Sequence, residues 1–216
     1  MTRLRSFGSD TFRSLRSRNF RKFFLGQIIS QTGTWMQMIA IGLLVLAITD
    51  SGVAVGFITA AQFLPILLLG AWGGVLADRR DRQHLLIVMN ALGALVATTF
   101  AVLVLTGHET LWWVYLLTFA AGTVVALENP ARRAFVTDLV HETDVPNAVG
   151  LNSTLMTTSR VFGPALGGVA WDWTGHFRFA LLPMLVGGLA MLVLGATVPR
   201  TWVRPAARSA ASATES

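Results

Sequence analysis

The 216-residue sequence contains no cysteine and a single lysine, and only 13% of its residues are charged. Without cysteine the chain forms no disulfide, thiolate or iron–sulfur site. Soluble domains carry about 25% charged residues, whereas 53% of this chain is hydrophobic and its mean hydropathy is +0.59. A soluble fold of this size has no means of burying so much apolar surface, so we expect lipid to surround most of the chain.

The usual signatures of catalysis and of metal binding are also missing. The four histidines lie between or at the ends of apolar stretches, so no haem or metal pair is expected within the membrane. The sequence has no Gly-x-Ser-x-Gly elbow, no pair of aspartates within an apolar stretch and no Walker-type phosphate loop. Intramembrane proteolysis and nucleotide-driven pumping therefore lack their residues. We predict no enzymatic activity, no metal site and no cofactor.

Six apolar stretches are long enough to cross a bilayer, which takes about 20 helical residues. They cover residues 21–48, 53–77, 85–105, 111–129, 147–170 and 178–198. The sequence thus predicts an all-α membrane protein with a basic N-terminal segment (1–20), a six-helix transmembrane domain (21–198) and a disordered tail (199–216). Among the linkers only 130–146 is long enough for structure of its own, and we expect a short interfacial helix there.

The basic residues are concentrated on one side of the predicted spans. Of the 17 Lys and Arg residues, Arg178 alone falls on the opposite side and Arg160 alone within a span. Cytoplasmic loops are enriched in Lys and Arg, so both termini are predicted to be cytoplasmic in a multi-pass protein of the cell membrane. The cations then contact anionic membrane lipid, and no nucleic acid. The first stretch is too long for a signal-peptide core, so we expect the N-terminus to be retained.

Proline and clustered glycines recur in the second and fifth stretches, which indicates an internal repeat. Pro65, Gly70 and Gly74 lie in the second stretch. Gly163, Pro164 and Gly167 lie in the fifth, where we interpret them as a helix-packing motif, with ordinary packing as the alternative to a special role. An odd number of helices per repeat inverts the second triplet relative to the first, which gives the three-plus-three arrangement of many secondary transporters.

The end of the second stretch carries the strongest functional signal, the run Gly73-Gly74-Val75-Leu76-Ala77-Asp78-Arg79-Arg80-Asp81-Arg82. An Asp at the membrane edge can hold a tight turn through charge-assisted hydrogen bonds with neighbouring arginines. A solvated linker that obeys the positive-inside rule is the alternative interpretation. It explains Asp78 less well than the arginines, since a carboxylate at the lipid boundary is costly unless it is paired.

This run resembles the signature loop of the major facilitator superfamily, Gly-x-x-x-Asp-Arg-x-Gly-Arg-Arg. Four residues match the pattern, namely Gly74, Asp78, Arg79 and Arg82, whereas Asp81 stands where the family usually has glycine. Further stretches are similar to the branch that contains enterobactin exporters and transmembrane secretion effectors; they lie at 12–20, 33–37, 62–65, 129–135 and 147–153. The resemblance implies a transporter in which Asp78 faces a helix of the second half and locks the outward-facing state. Since family members have two six-helix halves, this chain corresponds to the first half.

Polar residues within the spans are candidates for a substrate pathway, because each is expensive in lipid. Gln27, Gln31, Thr34 and Met38 recur at three- and four-residue steps and so share one helical face. Interhelical hydrogen bonding is the alternative role for this stripe. Arg160 lies well inside the predicted hydrocarbon region, where it is either a substrate, anion or gating contact or one member of a structural pair.

Glu128 is the remaining ionisable candidate, near the cytoplasmic end of the fourth stretch. It either exchanges a proton to drive antiport or clamps Arg82 or Arg132, and the clamp is favoured because an ion pair keeps the carboxylate charged. The sequence thus predicts a half-sized, proton-coupled exporter of a small amphipathic molecule, which works as a homodimer or with a second six-helix half. A truncated or non-transporting membrane subunit is the alternative.

Overall fold

The computed structural model describes residues 13–108 and 110–174, with side chains up to residue 169. Five long helices follow one another: α1 (Arg18–Thr49), α2 (Gly52–Arg79), α3 (Arg82–Thr106), α4 (Leu111–Asp138) and α5 (Val145–Thr174). Short 3-10 helices precede α1 at Arg13–Arg16 and α5 at Glu142–Asp144. The described part of the chain contains no strand.

Local capping explains where several helices begin and end. The Ser17 hydroxyl accepts a hydrogen bond from the Phe20 amide at the start of α1, and the Asp81 carboxylate accepts from two amides at the start of α3. Asp50 and Gly107 adopt left-handed backbone conformations just after α1 and α3, which favours chain reversal at a helix end. Only two residues join α1 to α2 and α2 to α3, so neighbouring helices run antiparallel.

The fourth helix corrects the prediction for residues 130–146. Phe135 does not belong to a separate interfacial helix, because α4 continues through Pro130 to Asp138; only the 3-10 helix Glu142–Asp144 stands apart in this range. Proline lacks the N–H that would bond to the carbonyl of Ala126 four residues earlier. The helix nevertheless continues, since Phe135 and Val136 beyond the proline are buried in the core and their burial favours one long helix.

Four of the six predicted spans are found as helices long and apolar enough to cross a membrane, namely α1 to α4. The fifth predicted span is also helical, as α5, but this helix is more polar and is not among the four. The sixth predicted span at 178–198 and the tail at 199–216 lie outside the described residues.

The N-terminal segment is tied to the connection between α4 and α5. Arg13 forms an ion pair with Asp144, and the Ser14 hydroxyl donates to the side chain of Asn147. The Ser17 hydroxyl donates to the Leu139 carbonyl at 3.0 Å. The described part of the predicted segment 1–20 thus packs on the helices, and α1 already begins at Arg18.

The core divides into two apolar clusters, one at each end of the bundle. The first lies at the end that carries the basic residues and is centred on Phe20, Phe23 and Phe135, all at most 3% exposed. The second lies at the opposite end around Leu44 and Val104. Between the two clusters the helices enclose a polar region.

Two crossing pairs of helices shape this region: α2 packs mainly on α4, and α1 mainly on α5. At the first crossing Gly73 lies so close to α4 that an added Cβ would stand 2.7 Å from the Ala126 carbonyl oxygen. This is the carbonyl that Pro130 leaves without its helical donor. The adjacent Gly74 has open space around it, with nothing within 4 Å of an added Cβ.

These neighbouring glycines give a matched test of the α2–α4 contact. Gly73→Ala is expected to lower the free energy of unfolding by about 1–3 kcal/mol, because a methyl group overpacks the crossing. Gly74→Ala, with open space around it, is expected to leave stability unchanged. Size-exclusion chromatography of heated, detergent-solubilised protein measures both midpoints, and equal midpoints would contradict the close approach.

Candidate functional site

A groove of about 330 Å³ lies in the polar region, between α1, α2, α4 and α5. Its lining mixes polar side chains such as Gln31 and Gln62 with apolar ones such as Phe63 and Ile66. A smaller cavity of about 60 Å³ adjoins it, shares Gln62 with it and reaches Asn90 on α3. Ligand pockets commonly combine an apolar wall with a few polar groups, so this groove is the candidate site.

Three of the four predicted pathway residues on α1 line this groove: Gln31, Thr34 and Met38. Gln27 does not line it. Its side chain is 1% exposed, and neither its amide nitrogen nor its amide oxygen has a hydrogen-bond partner among the described residues. The shared helical face was therefore recognisable from the sequence, whereas the depth at which α1 becomes enclosed depends on the packing around it.

Glu128 and Arg132 form an ion pair in the wall of the groove. The Arg132 Nη2 lies 2.5 Å from the Glu128 Oε1, and both side chains are at most 10% exposed. The amide of Asn90 donates to the same carboxylate oxygen at 3.5 Å. Of the two arginines considered from the sequence, Arg132 is thus the partner. The two residues are one turn apart on the same face because α4 continues through Pro130.

Arg160 stacks on an aromatic ring and does not pair with a carboxylate among the described residues. Its guanidinium lies 5.3 Å from the centre of the Trp35 ring, within the range of a cation–π interaction. Gly163, one turn later, packs directly on the Cβ of Trp35. A Cβ added to this glycine would also stand 3.1 Å from the Thr32 carbonyl oxygen. This close approach of α5 to α1 brings Arg160 to Trp35. Pro164 lies in the same helical turn.

The signature loop, which we predict to act as a gate, has an exposed part and a part that forms an ion pair. The Asp78 side chain is 78% exposed. Its Oδ1 lies 4.0 Å from the Arg82 Nη2, which is the upper limit for an ion pair. Arg82 instead donates to both carboxylate oxygens of Asp138 on α4, at 3.0 and 2.9 Å. Asp81, the departure from the family pattern, caps α3 by accepting from the Gln83 and His84 amides. Arg79 ends α2 and is exposed.

Sequence reasoning missed two residues that the fold brings to these sites. Asp138 was assigned to a linker, and only its place at the end of a long α4 puts it beside Arg82. Asn90 is 8% exposed in α3 and bonds to the Leu86 carbonyl as well as to Glu128. A lone asparagine within an apolar stretch was the available signal for Asn90. For Asp138 no comparable signal existed.

A double-mutant cycle tests whether Asp138 or Asp78 is the energetic partner of Arg82. For Arg82→Gln combined with Asp138→Asn we expect a coupling energy of about 1 kcal/mol, because the bidentate pair is only partly exposed. The matched cycle with Asp78→Asn is expected to give less than about 0.3 kcal/mol, since that carboxylate is mostly in solvent. Thermal unfolding in detergent measures both cycles, and the reverse order would refute this assignment.

Known proteins resemble almost the whole chain. The family of transmembrane secretion effectors matches residues 9–210. The staphyloferrin A transporter of Staphylococcus aureus is 31% identical over 150 residues, which cover 68% of this chain and 37% of that protein. Macrolide efflux protein A of Streptococcus pyogenes is 21% identical over 178 residues, 81% of this chain and 44% of that protein. The chain therefore spans less than half the length of these relatives.

Multidrug resistance protein 2 of Bacillus subtilis is also similar, at 32% identity over 61% of this chain and 31% of that protein. The relatives are transporters, not enzymes, in agreement with the prediction of no enzymatic activity. The apolar helices α1 to α4 and this family likeness make the chain a multi-pass protein of the plasma membrane. The likeness to enterobactin exporters stays a prediction. The chain belongs to the transmembrane secretion effector family of the major facilitator superfamily.

Proposed function

We propose that the chain forms one half of a transporter that exports a small amphipathic molecule across the plasma membrane by proton-coupled antiport. The observation that carries this proposal is the groove, because α1, α2, α4 and α5 together give it both polar and apolar walls. Relatives named for siderophore transport, macrolide efflux and multidrug resistance support a cargo of this kind.

The two glycine crossings support a three-plus-three inverted repeat. Such a repeat relates α1 to α4 and α2 to α5. It therefore equates the packing of α2 on α4 with the packing of α5 on α1. Gly73 of α2 packs on Ala126 of α4, and Gly163 of α5 packs on Trp35 of α1. A glycine thus permits close helix approach at both crossings, as we expect for a repeat.

The outer face of α2 supports the need for a partner half. Leu67 is 81% exposed on the same side of α2 as Gly70 and Gly74, and both glycines have open space around them. A stripe of small residues lets a second helix approach closely. Gly163 and Gly167, by contrast, face α1 within the chain. This glycine pair of α5 is therefore used for packing within the chain and is not open to a partner helix.

Proton antiport needs a carboxylate that exchanges both proton and partner during the cycle. Among the described residues that line the groove, Glu128 is the one carboxylate. Its carboxylate is paired with Arg132 in this conformation, and Asn90 adds a second donor. Protonation of Glu128 would break its pair with Arg132, so we propose this pair as the place where the counter-transported proton is exchanged.

Efflux from inverted membrane vesicles tests the proposal. The fluorescent dye Hoechst 33342, an amphipathic probe, should accumulate in vesicles that carry the chain together with its partner half, and a protonophore should abolish the accumulation. Asp78→Asn is expected to reduce the initial rate at least about fivefold without loss of protein from the membrane. The reason is that Asp78 is exposed and free to contact a second half.

Arg21→Gln serves as the control, since Arg21 is exposed and does not line the groove. Its rate should equal that of the unmodified chain. Accumulation that the protonophore does not affect would refute proton coupling. Absence of accumulation for structurally varied amphipathic probes would instead favour the alternative, a membrane subunit that does not transport.

Self-association through α2 is tested by crosslinking in native membranes. We expect a crosslinked dimer of the chain, and Gly74→Leu should reduce its yield by more than half, because leucine blocks the close approach of a second helix. Gly150→Leu is the matched control, since Gly150 is an open helical glycine on α5 and not on α2. A monomer in every condition would mean that a different six-helix half is required.

A further inference from the structure

The groove carries an excess of positive charge. Three arginines line it, Arg132, Arg133 and Arg160, against the single carboxylate of Glu128 among the described lining residues. The net charge of this lining is therefore about two positive units. Arg160 lies within a predicted span, where an arginine is costly in lipid and tends to mark a ligand pathway.

Arg132 has donors that the protein does not use. Its side chain is only 5% exposed, and its Nη2 is taken by Glu128. The Nε and Nη1 groups of the same guanidinium have no hydrogen-bond partner among the described residues. A buried donor without a partner is unfavourable, so a ligand oxygen at this position would stabilise the site.

The surroundings of the arginines are suited to an organic ligand. Trp35, Met38 and Phe63 line the same groove and offer apolar contact. Arg160 rests on the Trp35 ring, and the outer edge of a stacked guanidinium remains able to donate hydrogen bonds. Carboxylates fit such a guanidinium edge in a bidentate geometry.

We propose that the groove selects amphipathic organic anions, held by Arg132 and Arg160 through a carboxylate and by Trp35 and Phe63 through an apolar body. This inference rests on the proposed export function and narrows its cargo from amphipathic molecules in general to those with a negative charge. Glu128 competes with the ligand for Arg132. This competition lowers the affinity of the groove for the anion.

Binding of a matched pair of probes tests the charge preference. Isothermal titration of the purified chain in detergent with 4-phenylbutyrate should show binding at least about tenfold tighter than with 4-phenylbutyramide, its uncharged counterpart. Arg160→Gln should weaken the binding of the carboxylate about tenfold and leave the amide unaffected. Arg21→Gln should change neither, because Arg21 lies outside the groove.

Glu128→Gln gives a test that misfolding cannot imitate. Removal of this carboxylate frees the Nη2 of Arg132 and raises the positive charge of the groove. We therefore expect 4-phenylbutyrate to bind about tenfold tighter. Unchanged or weaker binding by Glu128→Gln would overturn the proposal, as would equal affinities for carboxylate and amide in the unmodified chain.

The outcomes also separate this inference from the export function. A chain that binds 4-phenylbutyrate but drives accumulation of neither this anion nor the dye retains the anion site and loses the transport proposal. A chain that supports proton-driven accumulation of the cationic dye, yet binds 4-phenylbutyrate no better than the amide, remains an exporter and loses the anion site.

Discussion

The close approach of two pairs of crossing helices is the constraint on which the rest of this structure depends. Gly73 brings the backbone of α2 against the Ala126 carbonyl of α4, and Gly163 brings α5 against Trp35 of α1. Lipid tails give no hydrophobic drive for helices to associate, so close van der Waals packing of this kind holds membrane helices together. The space that remains between these two packed pairs of helices is the groove.

Electrostatics then decides how that groove is used. A charge at this depth is tolerated only with a partner, and the structure meets this requirement in two ways. Glu128 and Arg132 pair within one helix, and Arg160 lies over the Trp35 ring. At the basic end the charges pair across helices instead, as in the bidentate contact of Arg82 with Asp138. The inner pairs line the groove, whereas the outer pair ties the start of α3 to the end of α4.

Family membership gives these features a context. Transmembrane secretion effectors match nearly the entire chain, although the matched part covers only 37% and 44% of two curated relatives. The exposed side of α2, with Gly70 and Gly74 open, is the surface that we propose for contact with a second half. The signature loop supports the same view, since Asp78 has no strong partner within the described residues and extends into solvent.

The sequence by itself determined the membrane environment, the bounds of the first three spans to within a few residues, the family and the helical face of Gln31, Thr34 and Met38. Hydropathy and helical periodicity are local properties, so each could be read from short stretches. Only the tertiary structure decided that α4 runs through Pro130, that Asp138 holds Arg82 and that Gln27 is enclosed while its neighbours line the groove. These outcomes depend on contacts between residues distant in the chain, and such contacts offset local preferences such as the helix-breaking tendency of proline.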